Sequence, residues 1–248
     1  MNSKKAAIII IGNEVLSAKV NDVNSPFLAR ELRSLGVSVE RITVIPDDVE
    51  TIAEAVSEGR RRYDLIFTCG GIGPTHDDVT MAGIALGLGR PLIRHKKLLA
   101  LMTESGGPTI NAARLKMTEV PEGTELIFSE MLRVPVIHVE QIYIFPGIPE
   151  LVQKKFNAIK ERFREAPFHL VKLYLSAGES AIAADLETTL TRFPDLQLGS
   201  YPALKKTDHK ILLTLESKEK TYLDAALSDL LHVLPDEAIV KIDPPPHP

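Results

Sequence analysis

The sequence predicts an α/β protein of two units: a larger amino-terminal domain whose mostly parallel sheet is covered by helices, and a smaller α+β domain behind it. Three observations predict this. Short β-branched apolar runs alternate with amphipathic stripes from Ala6 to Cys69, the rhythm of parallel strands joined by helices. The order of strands and helices changes after Ala166–Pro167. The chain has 248 residues, enough for one large domain or for one medium and one small, and the change of order favours the second. The expected boundaries are 1–165 for the first domain, 166–243 for the second, and 244–248 for a proline-rich tail.

Ala6–Ile11 is a continuous β-branched run, the pattern of a strand buried on both faces. A helix follows, with Ser25 placed to cap it, Pro26 at its first position and Gly36 to close it; Leu28, Leu32 and Leu35 share one face. Val37–Val44 reads as a second strand. Asp47 or Asp48 can cap the next helix, which carries Ile52, Ala55 and Val56, and Asp64–Cys69 is a third buried strand that ends in Gly-Gly. From Ile84 to Met117 the pattern is helical but interrupted by glycine and proline. Val134–His138 and Gln141–Phe145 read as short strands, and a helix from Pro149 carries Val152, Phe156, Ile159 and Phe163 on one stripe. Beyond Pro167 the order is strand (168–175), helix (180–193), strand (196–200), strand (210–215), helix (219–233), strand (238–242). The helical stripes there are Ile182/Leu186/Leu190/Phe193 and Leu223/Ala226/Leu227/Leu230. That βαββαβ series is the ferredoxin-like pattern.

Composition narrows the function classes. The chain is 44% hydrophobic and 25% charged with a net charge of −4, so bulk electrostatics offer no attraction to nucleic acid or an acidic membrane. The apolar run at Ala6–Ile11 is too short for a secretory or membrane segment, for which a helix needs about 20 residues. A single cysteine, Cys69, allows no internal disulfide and suits a reducing compartment; a cytoplasmic location is expected.

The chemistry concentrates in Thr68-Cys-Gly-Gly-Ile-Gly-Pro-Thr-His-Asp-Asp-Val-Thr80. Glycines directly after a buried strand let backbone N–H groups approach a ligand, and a helix beginning near Asp78 adds its positive end, so the loop reads as an anion cradle. It lies at the carboxyl end of a parallel strand, where open α/β sheets bind ligands. The glycine spacing matches neither a Walker loop nor the dinucleotide fingerprint. Asp77 and Asp78 beside a phosphate would need a cation between them, such as Mg²⁺; alternatively Asp78 caps the next helix and Asp77 faces solvent. Glu14, Asp22 and Asn24 follow the first strand and converge on the same pocket, or form a turn with no further role. Pro146, Gly147 and Pro149 form a rigid turn that walls a pocket or merely connects a strand to a helix. Arg60–Arg62 suits the end of a helix, Cys69 a small core position, and His76 either phosphate contact or a bystander place in the loop.

Taken together, Gly70-Gly-Ile-Gly-Pro-Thr-His-Asp-Asp-Val-Thr80 resembles the molybdopterin-binding-like domain of the competence/damage-inducible protein A family. It is closer still to the amino-terminal domain of two-domain, eukaryotic-type FAD synthases. Ile11-Gly-Asn-Glu-Val-Leu16, Asp22-Val-Asn24, Val44-Ile-Pro-Asp47 and Phe145-Pro-Gly-Ile-Pro-Glu-Leu151 match the same pattern in the same order. Leu198-Gly-Ser-Tyr-Pro202 resembles the small region that follows that domain in FAD synthases.

The resemblance implies a molybdopterin-binding-type three-layer fold and a pyrophosphatase that cleaves FAD to FMN and AMP, or acts on an ADP-ribose-type nucleotide. It also implies a divalent metal (Mg, Mn or Co), often with potassium. It places Asp78, with Asp77 and Glu14, at the metal, and Gly70, Gly71, Gly73, Thr75 and Thr80 at the phosphate. Asp22, Asn24, Asp47, Pro146, Gly147 and Pro149 would line the substrate pocket. A dimer or trimer is expected by the same likeness. Asn13 stands where many relatives carry aspartate, and the Gly-x-Ala-Pro-Gly pattern of competence proteins is missing between Asn111 and Phe145. No adenylyltransferase segment follows up to Pro248, so FAD synthesis is not expected. The alternatives are a module that binds a pterin or nucleotide without turnover, and molybdenum-cofactor biosynthesis. On the hydrolase reading, Asp78→Asn abolishes turnover with little change in thermal stability.

Overall fold

The computed structural model describes residues 3–106, 111–203 and 208–244. The chain divides after Glu165 into two compact units.

The first unit is built on β1 (Lys5–Ile11), β2 (Ser38–Ile45), β3 (Leu65–Cys69) and β8 (Ile142–Phe145), which run parallel in the order β2-β1-β3-β8. A hairpin from β7 (Val136–Val139) and then β6 (Glu125–Ile127) extend the sheet antiparallel, so it is six-stranded and mixed. Side chains alternate across β1. Ile8 and Ile10 pack with Leu28 and Leu32 of α2 (Asn24–Ser34) and Val152, Phe156 and Ile159 of α7 (Pro149–Ile159). Ile9 and Ile11 pack with Ile52 and Val56 of α3 (Val49–Arg62) and Ile84 and Leu88 of α4 (Thr80–Leu88) on the opposite face. Two apolar faces, each covered by helices, make the three layers.

On the α2/α7 side, Phe67, Phe145, Phe156 and Phe163 are fully buried against one another, with the Phe67 and Phe163 rings 5.1 Å apart. Phe163 ends a short 3-10 turn, Lys160–Phe163, that continues α7, so the predicted stripe is buried along its whole length. Each such side chain contributes roughly 2–3 kcal/mol by leaving water. The same buried face of α7 holds Lys155, whose Nζ donates to the carbonyls of Val134 (3.0 Å) and Pro135.

Between β3 and β6 the interrupted helical segment resolves into α4, β4 (Leu92–Arg94), α5 (Lys96–Gly106), α6 (Ala112–Lys116) and β5 (Glu119–Pro121). The β4/β5 pair and β6 are strands of only three residues, too short for alternation to reveal them. A one-turn helix, α1 (Asn13–Leu16), follows β1.

One capping expectation is corrected and one choice between two residues is decided. Asp22, not Ser25, caps α2: its carboxylate accepts from the N–H groups of Asn24 (2.9 Å) and Ser25 (3.0 Å) and from the Ser25 hydroxyl. A carboxylate two residues before the helix reaches both free amides, whereas Ser25 lies inside the first turn. For α3, Asp48 is the cap, accepting from Thr51 N at 2.9 Å, which frees Asp47 for another partner.

The second unit has β9 (His169–Leu175), α8 (Glu179–Arg192), β10 (Gln197–Pro202), β11 (Ile211–Ser217), α9 (Lys220–Val233) and β12 (Ile239–Asp243). Its four strands are antiparallel in the order β10-β11-β9-β12, the arrangement expected of βαββαβ. Its core joins Leu173, Leu213 and Leu215 to Ile182, Leu186, Leu223, Ala226, Leu227 and Leu230. Leu190 departs from its predicted stripe and is 36% exposed; Thr189 is buried in its place and donates to Asp229 at 3.2 Å. Most of the proline-rich tail lies outside the described residues.

Candidate functional site

The carboxyl ends of the four parallel strands share one edge of the first unit, and the loops leaving them interlock. Gly70 leaves β3 at φ +110° and donates to Phe145 O of β8 (3.2 Å). A Cβ at this position would stand 2.0 Å from Ile11 O of β1, so only glycine lets the three strand ends meet here. Gly71, at φ +62°, lies against Thr80 and Asp47. Thr80, fully buried, closes the loop on itself: its hydroxyl donates to Gly70 O (2.9 Å) and its N–H to Gly71 O (3.0 Å).

Neighbouring loops tie in the same way. Asp47, after β2, accepts from Asn13 N, after β1, at 2.8 Å. Asn24, nine-tenths buried at the start of α2, donates from Nδ2 to Gly147 O at 2.8 Å, and a Cβ on Gly147 would lie 3.6 Å from Gly70 Cα. Pro146 is half-buried and Pro149 opens α7. Asp47, Asn24, Gly147, Gly70, Gly71 and Thr80 are therefore drawn to one edge, as the sequence suggests, while Asp22 stands beside them capping α2. Cys69 ends β3 below the loop; burial first, and then the nearby Asp22 charge, pushes its thiol well above the ordinary thiol range. It is an inert core thiol.

The two adjacent aspartates part company. Asp78 does not cap α4, which has no side-chain cap. Its carboxylate turns back into the loop and accepts from Gly73 N (2.6 Å), Thr75 N (2.7 Å) and the Thr75 hydroxyl (2.5 Å). The loop already cradles an anion, and that anion is its own. Of the loop's amides, those of Gly71 and Ile72 donate to no group among the described residues. Asp77 faces outward with its side chain 59% exposed. His76 is fully exposed. Glu14 folds back over Gly12, where its carboxylate would touch any Cβ, and the structure does not bring it to Asp78. Among the described residues, no three His, Cys, Asp or Glu side chains are gathered to hold a metal ion.

One residue escapes sequence reasoning. Lys116, in the last turn of α6, donates from Nζ to Thr75 O and thereby joins the glycine loop from 41 residues away. Nothing in the interrupted segment 84–117 marks that lysine apart from its neighbours. Two surface hollows lie elsewhere: one of about 500 Å³ between α3 and α4, lined by Ala53, Ser57 and Leu86, and one of about 370 Å³ lined by His95, Lys97 and Glu125. Among the described residues no helix is long and apolar enough to cross a membrane.

Residues 7–165 match the family described as "Probable molybdopterin binding domain", and residues 167–243 match "FAD synthase, middle domain". A protein of Archaeoglobus fulgidus is 34% identical, over 79% of this chain and 84% of that one. Protein PH0439 of Pyrococcus horikoshii is 36% identical, over 76% and 80% of the two chains. A "Probable FAD synthase" of Caenorhabditis elegans is 29% identical over 93% of this chain, which spans 50% of that relative's length. Among solved structures, the protein CinA of Thermoplasma acidophilum is similar with a TM-score of 0.61 and 28% identity, over 66% of this chain and 99% of that one.

Proposed function

Because the chain belongs to the family of probable molybdopterin binding domains and continues into a FAD synthase middle domain, we propose that it is a nucleotide pyrophosphatase. Its substrate would be FAD, cleaved to FMN and AMP, or a related ADP-containing molecule such as ADP-ribose. The observation that carries this reading is the interlocking of four strand-end loops around Gly70, which puts backbone amides, Asp47, Asn24 and the Asp77/Asp78 pair on one edge. The similarity of the chain to a probable FAD synthase selects flavin nucleotides for first trial.

A pyrophosphate at the loop would meet the Gly71 and Ile72 amides first. The Gly73 and Thr75 amides become available to it when Asp78 turns outward, and that movement would bring the Asp78 carboxylate beside Asp77 at the ligand's edge. A divalent metal fits these residues as one carried in with the substrate. Mg²⁺ commonly takes one or two carboxylates together with phosphate oxygens, and the exposed carboxylate of Asp77 offers such a ligand. Glu14 stands nearer β1 and would join only after leaving Gly12. Bound there, the metal would polarise the phosphoryl group and make a water more acidic. The chain's own part is to fix the anhydride against the loop amides and to hold substrate and water in line.

Chromatography of purified protein with FAD and with ADP-ribose, in Mg²⁺, Mn²⁺ or Co²⁺ with potassium and against a chelator, tests the proposal. The expected result is metal-dependent AMP together with FMN or ribose phosphate. A second reading is favoured by the engagement of Asp78 in loop bonds and by the neutral Asn13: a module that binds a nucleotide or pterin without turnover. Thermal stabilisation by FAD with no product would select it. Tight molybdopterin binding with no affinity for FAD would move the assignment to molybdenum-cofactor chemistry.

A further inference from the structure

Thr75 is clamped at both ends of its peptide. Asp78 accepts from its N–H and hydroxyl, and Lys116 donates to its carbonyl. The lysine's approach is built by the fold. Asn111 caps α6 by accepting from Arg114 N at 3.0 Å, and just past Lys116 the buried Thr118 donates from its N–H (3.0 Å) and hydroxyl (2.7 Å) to Leu115 O. Half-buried Lys116 is thus held over the loop rather than swinging free in solvent.

Its charge is needed there. Asp22, Asp47, Asp77, Asp78 and Glu14 stand around this edge, and a polyphosphate approaching them meets repulsion. Among the described residues, Lys116 is the cation that the structure places on the loop. Its present acceptor is a neutral carbonyl, whereas a phosphate oxygen is charged and adds a direct Coulomb attraction to the ammonium that the carbonyl lacks. An anion reaching the loop therefore outcompetes Thr75 O for Nζ.

We propose that Lys116 is the anion-recognition residue of the glycine loop: it leaves the Thr75 carbonyl for a phosphoanhydride oxygen and so selects pyrophosphate-bearing ligands over nucleosides. The proposal rests on the glycine loop as the ligand site but not on hydrolysis.

Calorimetric titration of the full chain with inorganic pyrophosphate, ADP-ribose and adenosine tests it, using wild type, Lys116→Gln, Lys116→Arg and, as a control in the second unit, Lys220→Gln. Glutamine keeps a donor for Thr75 O but removes the charge, so it separates recognition from a merely structural contact. Lys116→Gln should weaken pyrophosphate and ADP-ribose by about tenfold or more, equivalent to about 1.4 kcal/mol. Lys116→Arg should restore most of the affinity, adenosine should be unaffected, and raising salt should narrow the gap between wild type and Lys116→Gln. Equal pyrophosphate affinity in wild type and Lys116→Gln overturns the proposal, as does a matching loss for adenosine or a wild type with no pyrophosphate affinity. If Lys116→Gln does not fold, Lys116→Arg with wild-type adenosine affinity but no pyrophosphate selectivity also overturns it. A wild type that binds pyrophosphate yet leaves FAD intact removes the hydrolase reading and leaves this one standing.

Discussion

Gly70 turns its α-carbon toward the carbonyl of Ile11, and a Cβ built there falls 2.0 Å from that oxygen at a φ of +110°. Gly89 shares the positive φ, at +65°, but has nothing within 4 Å of a built Cβ. Alanine at the two positions therefore separates collision from backbone strain. Gly70→Ala should cost about 3 kcal/mol or more, and Gly89→Ala only about 1 kcal/mol. Thermal melts of the two variants check this, and equal losses would remove the argument that three strand ends meet at Gly70. Asp78 carries a second prediction, and here the structure revises an expectation drawn from sequence. With three donors converging on its carboxylate, Asp78→Asn should, on the proposed hydrolase reading, abolish FAD cleavage, and on any reading lower stability by about 1–2 kcal/mol, because an amide returns only part of that acceptance. A melt unchanged from wild type would show that these loop bonds carry little of the fold.

Elements whose periodicity spans several turns were legible, and those whose placement depends on a distant partner were not. The α7 stripe Val152/Phe156/Ile159/Phe163 repeats often enough to be read, and all four residues are buried. The strand pair β4/β5 could not be read, since three residues hold no pattern until they pair. In the site, the glycine loop at the carboxyl end of β3 followed from strand–loop–helix order, whereas Asp47, which fits a helix cap as well, was placed at the pocket only by the family resemblance. The inward turn of Asp78 did not, because a lone Asp before a helix fits a cap equally well. Lys116 was hidden by a partner 41 residues away. Lys155 is a further instance: it sits on the apolar face of α7, and burial pushes its ammonium down to about 8 from an ordinary 10.5. Between those values the unfolded chain holds a proton that the folded chain has released, so this lysine makes stability rise with pH from about 8 to about 10.5. Below pH 8 its burial penalty is fully present. Chemical denaturation of wild type and Lys155→Met across that range should show the wild type gaining on the variant. A constant difference would mean that Lys155 titrates as it would in water.

At the scale of the whole chain, two separate cores imply two separable foldings. The clusters around Phe67 and Ile9 belong to the first unit, and that around Leu173 and Leu227 belongs to the second. Residues 1–165 and 166–243, expressed apart, should each melt cooperatively in a calorimeter; a first unit that stays unfolded alone would show that its core is incomplete. The single cysteine makes one region of this molecule observable without labels or mutations. Cys69 sits at the end of β3, directly under the ligand loop, and is 1% exposed. A thiol reagent can reach it only when that strand end comes away from the sheet, so the labelling rate under native conditions clocks the opening of the site itself. If FAD or pyrophosphate settles on the loop, the clock should slow, and the ratio of rates would report occupancy even for a ligand that is never turned over.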